Sequence, residues 1–222
     1  MKQTSERLMP AFFILGLLVL WEGAVRIFGI PLYVLPSPVQ VAETLVQELP
    51  VLALHARVTV AEALAGVAIS LVLALALGVL MDCFPMIRQG LYPVLVVTQT
   101  VPMIVLAPIF IIYMGFGAAP KILTVVLMCF FPVAVSFSDG LSQVDAEYVH
   151  LVRSYGAGQW KTYCLVKIPA AVPALLSGLK VAATYSISGA VVGEWIGSQE
   201  GLGYYLLRVK NGYMLDKVFA CV

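Results

Sequence analysis

The side chains that could carry chemistry are few in this sequence and stand far apart. The two histidines, His55 and His150, have no neighbouring set of carboxylates with which to form a catalytic or metal site. The zinc-protease pattern H-E-x-x-H, the nucleophile elbow G-x-S-x-G and the phosphate-cradling loop G-x-x-x-x-G-K-[ST] do not occur. The sequence therefore predicts no catalytic residue, and any use of ATP would require another polypeptide.

The four cysteines give no metal-binding or cross-linking pattern. Cys83, Cys129, Cys164 and Cys221 are widely separated, form no C-x-x-C pair and have no neighbouring histidine ligands. Cys129 lies in an apolar run, where a free thiol behaves as a small hydrophobic side chain. We therefore expect inert thiols and no bound metal.

A polar connector at residues 138–172 carries a pattern of another kind. It contains the glycines Gly156 and Gly158 and, near its end, Pro169. Because glycine and proline interrupt helices, the connector should form two short helices that break at the glycines and stop before the proline. Neither helix is long or apolar enough to span a membrane.

The first of these two helices should be amphipathic. Val149, Val152 and Tyr155 would share one face, and the charged Glu147 and Arg153 would face away. A partly apolar, partly charged helix that projects from a larger body is suited to docking in a groove of a soluble partner. The alternative is an ordinary solvated loop.

The composition of the whole chain indicates which class of protein carries this connector. Of its 222 residues, 61% are hydrophobic and only 11% are charged, and the mean hydropathy is +0.98. Soluble domains carry about 25% charged residues, so this chain lacks the polar surface that a soluble particle needs. A net charge of +1 argues against a nucleic-acid partner. The sequence predicts an integral membrane protein.

Five apolar runs are long enough to cross a bilayer as helices, which takes about 20 residues each. The first should be a retained anchor, because no small-residue cleavage site follows it. An apolar run resumes after Asp216 and then stops, which we interpret as the start of a truncated sixth span. The predicted spans are residues 8–28, 59–81, 91–114, 121–137 and 173–195.

Two of the spans contain neutral polar residues that are candidates for a translocation path. Polar groups at membrane depth usually face the interior of a helix bundle. Those next to Pro102 have an alternative role, because they could satisfy the backbone groups that a proline kink leaves free. The absence of basic residues among the candidates favours an uncharged solute. The candidates are Thr98, Gln99 and Thr100 in the third span and Thr184, Tyr185, Ser186 and Ser188 in the fifth.

Small residues form a stripe along the fifth span. Their spacing of about four residues places them on one side of a helix, where they permit close approach of a second helix. That second helix could belong to the same chain or to a second copy, so the stripe is either a packing face or a dimer face. The residues are Gly178, Ala182, Gly189 and Gly193.

The spacing within the connector resembles the permease subunits of bacterial ABC importers. Their cytoplasmic signature is E-A-A, three residues, a glycine, nine residues and then I-x-L-P. Gly156 takes the glycine position, and Val166, Ile168 and Pro169 take the last positions. The acidic position falls on His150, so the acidic residue of the signature is absent here.

Further motifs resemble one subfamily of these permeases, the nitrate, sulfonate and taurine type. Within the connector, Arg153 and Tyr155 fit its longer A-R-S-Y-G form. Together the similarities extend from residue 31 to residue 220. The other matching segments are Leu35-Pro-Ser-Pro38, the third-span residues Pro102, Ala107, Pro108, Ile109, Phe110 and Gly115-Phe-Gly117, and Gly193-Glu-Trp-Ile-Gly197 with Gly201-Leu-Gly-Tyr204.

The resemblance implies the all-α transmembrane domain of a type I ABC importer in the bacterial inner membrane. It implies a homodimer of permease chains, two ATPase subunits that carry ATP and Mg, and an external solute-binding protein. The connector would lie in the cytoplasm, and no cofactor would bind to this chain. The residues that would couple it to the ATPase are Glu147, His150, Arg153, Tyr155, Gly156, Trp160 and Pro169.

Within the subfamily, the segments after the fifth span are most similar to permeases for the pyrimidine precursor of thiamine. Sulfonate, taurine, nitrate and riboflavin importers share much of the same frame and remain alternatives. A different class, a secondary transporter that works without an ATPase, would show inverted repeats and ionisable residues at mid-membrane. The sequence shows neither feature.

Overall fold

The computed structural model describes the backbone of residues 2–222, and all side chains after residue 8 except that of Ala11. Two compact units are present: a terminal unit, formed by the first 57 residues with Glu200–Val222, and a central unit, Val58–Gln199. The helices in chain order are α1 (Lys2–Ile27), α2 (Pro38–Cys83), α3 (Pro85–Thr98), α4 (Met103–Met114), α5 (Ala118–Ser142), α6 (Ala146–Ser154), α7 (Gln159–Thr162), α8 (Ile168–Glu194), α9 (Leu202–Asn211) and α10 (Leu215–Cys221).

Three uninterrupted helical stretches in the described part of the chain are long and apolar enough to cross a membrane. They are Pro38–Cys83, Ala118–Ser142 and Gln159–Glu194. The pair α3 and α4 would add a fourth if the two bent helices are counted together. The predicted first span, residues 8–28, lies in α1 and just beyond it, and the predicted start of a sixth, at Asp216, lies in α10.

The second span begins much earlier than the sequence analysis expected. Helix α2 has 46 residues and starts at Pro38 rather than near residue 59. Proline suits the first position of a helix because its φ angle is already helical and its missing N–H would be unpaired there anyway. Ser37 and Gln40 complete a capping box, in which the Ser37 N–H donates to Gln40 Oε1 at 2.9 Å and the Gln40 N–H to Ser37 Oγ at 3.4 Å.

The third span is not one helix, as the interval 91–114 predicted, but two. Helices α3 and α4 meet at an angle of 102° across residues 99–102. Pro102 explains the break, because it has no N–H to donate and disfavours helical geometry at the residue before it. The Thr98 hydroxyl donates to the carbonyl of Val94 at 2.9 Å, and that of Thr100 to the carbonyl of Val97 at 2.7 Å, which satisfies acceptors at the helix end.

The core of the central unit is the contact between α5 and α8. A Cβ added at Gly178 would lie 2.7 Å from the Pro132 carbonyl oxygen, and one at Gly193 would lie 3.0 Å from the Cα of Lys121. Side chains larger than glycine would therefore push the two helices apart. The predicted stripe Gly178, Ala182, Gly189 and Gly193 faces α5 of the same chain.

The connector also departs from its predicted boundaries. Helix α5 extends through Ser142, so residues 138–142 belong to it. The second short helix does not stop before Pro169, because α7 continues through a π-helical turn, Tyr163–Lys167, directly into α8. In that wider turn the Ile168 N–H bonds to the carbonyl of Tyr163, five residues back. A π turn relieves the clash that a proline ring would make in a regular α-helix.

Candidate functional site: the connector and the cavity at the broken helix pair

Helix α6 of the connector has well-defined ends. Asp145 caps its start by accepting a hydrogen bond from the Glu147 N–H at 2.9 Å. At its end, Gly156 adopts a φ of +82°, the Gly156 N–H bonds to the Arg153 carbonyl, and the Ala157 N–H bonds to the Val152 carbonyl. This is the Schellman arrangement, which favours glycine at the position of positive φ. The connector is therefore a folded knob.

One face of α6 presents apolar side chains to the surroundings. Tyr148, Leu151 and Tyr155 lie at positions i, i+3 and i+7 and are 62%, 54% and 85% exposed. Trp160 on α7 is 74% exposed. Val149 and Val152, which were predicted to share a face with Tyr155, are less exposed than Tyr155. We call Tyr148, Leu151, Tyr155 and Trp160 the apolar patch.

The structure places all seven predicted coupling residues at the surface. Charged or polar side chains border the apolar patch on α6: Glu147, His150 and Arg153. Gly156 forms the turn between α6 and α7, and Pro169 lies in the first turn of α8. A surface of this kind, apolar in the centre and polar at its edge, is typical of a protein docking site.

A cluster at the end of α2 connects that helix to the π turn that follows the knob. Asp82 accepts a hydrogen bond from the Tyr163 hydroxyl and lies 2.6 Å from the Lys167 ammonium. Lys167 also lies 5.2 Å from the centre of the Tyr163 ring, and the Tyr163 side chain is buried. The sequence analysis did not predict this cluster. The signals that could have indicated it were Asp82 at the end of the predicted second span and Lys167 before the predicted fifth span.

A second contact joins α3 to the last turns of α5. The Arg88 guanidinium lies 3.3 Å from Asp139 and donates to the Ser142 hydroxyl at 3.2 Å. The Tyr92 hydroxyl donates to the same Asp139 carboxylate at 3.2 Å. Arg88 and Asp139 are more than one-third exposed, so water reaches this contact. The Asp82 cluster, in contrast, is mostly enclosed.

A buried charged cluster lies at the other ends of the central helices. The Lys121 ammonium lies 2.8 Å from Glu62, and the Thr59 hydroxyl donates to the Glu194 carboxyl at 2.7 Å. Glu62 and Glu194 also interact with each other. All four residues are buried. The sequence analysis did not predict that the two glutamates meet.

A cavity of about 430 Å³ lies beside the break between α3 and α4. Its walls are mainly apolar, with Phe131 from α5 and Met103 from α4 among them. Of the seven predicted path residues, Gln99 and Tyr185 line it. The hydroxyls of Thr98, Thr100, Thr184 and Ser186 instead donate to carbonyls of their own segments, and Ser188 is exposed outside the cavity.

The terminal unit holds a polar cluster of its own. Glu48 lies 2.5 Å from the Lys217 ammonium and accepts a hydrogen bond from the Tyr205 hydroxyl at 3.1 Å. Burial and the hydrogen bond to Glu48 raise the pKa of Tyr205, which keeps its hydroxyl protonated. His55, which lies inside α2, accepts a hydrogen bond from the Gly201 N–H at 3.1 Å.

Apolar helices of membrane-crossing length and an exposed helical knob are the features expected of the membrane permeases that work with a separate ATPase. Residues 66–222 match the family described as "Binding-protein-dependent transport system inner membrane component". The chain belongs to this family. In the described residues, no group of three or more His, Cys, Asp or Glu side chains is placed to hold a metal ion.

Relatives within the family have related transport roles. The chain is 37% identical to the formylaminopyrimidine transport permease protein ThiX of Halalkalibacterium halodurans, over 99% of this chain and 88% of the relative. It is 33% identical to the riboflavin transport system permease protein RibX of Chloroflexus aurantiacus, over 88% and 74%. It is 30% identical to the putative aliphatic sulfonates transport permease protein SsuC of Bacillus subtilis, over 96% and 76%.

The predicted family and its sulfonate and taurine branch are thereby confirmed. The chain is a multi-pass helical protein of the bacterial inner membrane. It is a permease subunit of an ABC importer, and so a transport component rather than an enzyme. Membership of the family implies an ATPase and a binding protein as partners in general.

Proposed function

We propose that this permease imports an amino-substituted pyrimidine of the thiamine precursor type. The similarity to a formylaminopyrimidine permease over nearly the whole chain supports this substrate. The cavity walls agree with it, since the lining residues carry no Lys, Arg, Asp or Glu to neutralise a charged solute. The alternative substrates, which other permeases with the same motifs import, are sulfonates, taurine, nitrate and riboflavin.

The observation that carries the transport mechanism is the apolar patch on the folded knob. Tyr155 is 85% exposed and Trp160 is 74% exposed, and exposed apolar side chains grouped on a projecting helix are candidates for a protein interaction surface. In this proposal the patch docks in a groove of an ATPase subunit on the cytoplasmic side. Glu147, His150 and Arg153 form the polar rim of that contact, and the ATPase, not this chain, holds ATP and Mg.

The contacts of the knob give a route for its movement into the membrane helices. The π turn joins α7 to α8 without a flexible joint, so a displacement of the knob moves α8 directly. Asp82 connects the knob to the end of α2 through Tyr163 and Lys167. Two ATPases that close on ATP would thus push two permease chains, paired as a homodimer, from an inward-facing to an outward-facing state.

The turn at Gly156 offers the sharpest test of this coupling. Its φ of +82° is strained for any β-branched residue, whereas Gly158 has a φ of −69°, and both have open space where a Cβ would be. We expect Gly156→Val to lower solute uptake per ATP hydrolysed at least several-fold in proteoliposomes that contain the permease, its ATPase and the binding protein. Gly158→Val is the matched control and should couple normally.

Two results would contradict the proposal. Unchanged coupled uptake in the Gly156→Val complex would show that the geometry of the knob does not transmit the ATPase movement. Uptake that continues in proteoliposomes without any ATPase would instead support the different class, a secondary transporter. A third measurement, uptake of labelled formylaminopyrimidine, taurine and riboflavin by the wild-type complex, separates the substrate alternatives.

A further inference from the structure

The cavity at the broken helix pair has the properties of a small-molecule site. Its volume of about 430 Å³ lies within the usual range for ligand sites. The bend of 102° creates it, because α4 turns away from the axis of α3 and leaves residues 99–102 beside α5 and α8. A mostly apolar cavity with a few placed polar groups is the usual design of a site for an organic ligand.

Its apolar walls suit a flat ring. Phe131 is 8% exposed and offers an aromatic surface that the packing of α5 holds in place. Met103 and Met128 supply thioether groups, which make favourable contacts with aromatic rings. Aromatic and sulfur side chains around one cavity favour a planar, polarisable solute over a compact aliphatic one.

Its polar groups suit a ring with an amino substituent. Gln99 stands in the break between the helices, and within the described residues its amide makes no hydrogen bond to another side chain or to the backbone. A free carboxamide presents an acceptor and a donor side by side. An amino group next to a ring nitrogen presents the complementary pair, as adenine does when Gln or Asn reads it. Tyr185, from α8, adds a hydroxyl.

We infer that this cavity is a transit site in which the Gln99 amide binds the amino–ring-nitrogen edge of an uncharged heteroaromatic solute. The ring lies against Phe131 and the two methionines, and Tyr185 closes the other side. This inference rests on the proposed function, since it concerns the same solute. It adds that the permease itself, in addition to its binding protein, selects for this chemistry.

Equilibrium binding of radiolabelled formylaminopyrimidine to the purified permease–ATPase complex, without the binding protein, tests the site directly. We expect Gln99→Leu to raise the dissociation constant about tenfold to a hundredfold, because one bidentate contact to a base edge is lost. Gln99→Glu keeps an acceptor but loses the donor, and should weaken binding as well. Ser177→Ala, on α8 but outside the cavity, is the control and should bind as wild type.

The same variants are then tested for uptake with the complete importer, together with ATP hydrolysis stimulated by the binding protein. The inference is supported if Gln99→Leu loses uptake while the stimulated hydrolysis stays within twofold of wild type. It is overturned if the wild-type complex imports formylaminopyrimidine and Gln99→Leu binds and imports it equally well; the proposed function then stands. If the wild-type complex imports no formylaminopyrimidine, the proposed substrate fails, and this inference fails with it.

Discussion

Two charged clusters on α2 differ in their contact with water. Twenty residues separate Glu62 from Asp82, which is about 30 Å along a helix and close to the thickness of the hydrocarbon core. The Glu62 cluster is buried, with side chains 7% and 11% exposed for Glu62 and Lys121. At the Asp82 cluster the Asp82 side chain is 9% exposed and the Lys167 side chain 20%, and a neutral phenol supplies part of the bonding.

This difference indicates that the two clusters, at the two ends of the α2 segment between Glu62 and Asp82, differ in the free energy needed to separate their charged groups. A charge in a dry environment depends on its partner, because the surroundings cannot replace the lost interaction. At the Asp82 cluster water reaches the Lys167 side of the pair and can solvate the ammonium when the two groups separate. The cluster near the knob is therefore the one that can open and close at a modest free-energy cost, as a mechanism driven by the knob requires. The cluster around Glu62 should resist separation more strongly.

Loss of the Lys121 charge should have the largest effect on stability. Lys121→Met leaves the buried Glu62 and Glu194 without the ammonium that lies 2.8 Å from Glu62. We expect the free energy of unfolding to fall by about 3–5 kcal/mol. Denaturation of the detergent-solubilised chain by sodium dodecyl sulfate, followed by circular dichroism, measures it. Lys180→Met, at an exposed position on α8, is the control, and equal losses in the two variants would refute the comparison.

A smaller loss is expected when the Thr59 hydroxyl is removed from the same buried cluster. Thr59→Val keeps the shape of the side chain but removes its hydrogen bond of 2.7 Å to Glu194. A hydrogen bond to a charged group contributes about 1.5–3 kcal/mol, and we expect a loss in that range from the same denaturation measurement. Thr184→Val, which loses an exposed hydroxyl bonded within its own helix, should lose much less. Similar losses of the free energy of unfolding in both variants would mean that burial does not determine how much these hydroxyl hydrogen bonds contribute to stability.

Local sequence predicted the parts of this fold that local physics decides. An apolar run of about 20 residues has few alternatives to a membrane helix. The runs 59–81 and 121–137 accordingly fall inside α2 and α5, and the run 173–195 falls inside α8 except for its last residue. The glycine pair in the connector likewise predicted a break between two short helices, and Gly156 adopts the positive φ that such a break favours.

What the sequence could not provide was the set of contacts between distant segments. Glu62 meets Lys121 and Asp82 meets Lys167 only because α2 lies beside α5 and α8, and no local pattern states which helices are neighbours. The bend of 102° and the π turn before Pro169 depend in the same way on the surrounding packing. Proline signals an interruption in a helix, but tertiary contacts decide whether that interruption becomes a kink, a break or a wider turn.

At the knob end, Asp82→Asn should destabilise the chain less than either change at the buried end. Asparagine keeps an acceptor for the Tyr163 hydroxyl but removes the charge that lies 2.6 Å from Lys167. We expect a loss of about 1–2 kcal/mol, because water partly compensates the partly buried Lys167 ammonium. In a double-mutant cycle with Lys167→Met, the two losses should not add. Additive losses would show that the two side chains do not interact. For the Asp82→Asn complex, solute uptake per ATP hydrolysed then measures whether coupling is weakened as well.

The smallest effect is expected at the contact between Arg88 and Asp139. This pair also lies near the knob, at 3.3 Å, but its side chains are 35% and 37% exposed. Arg88→Gln should change the free energy of unfolding by about 0.2–1 kcal/mol, the range of hydrated ion pairs. Raising the salt concentration should remove most of the difference from wild type, since exposed charges are screened. The Lys121→Met defect, in contrast, should persist in salt. The Arg88→Gln defect could instead prove as large as the Lys121→Met defect and as insensitive to salt. In that case the presence of an ion pair, rather than its burial, would decide the strength of these contacts. The two ends of α2 would then not be distinguished by their access to water.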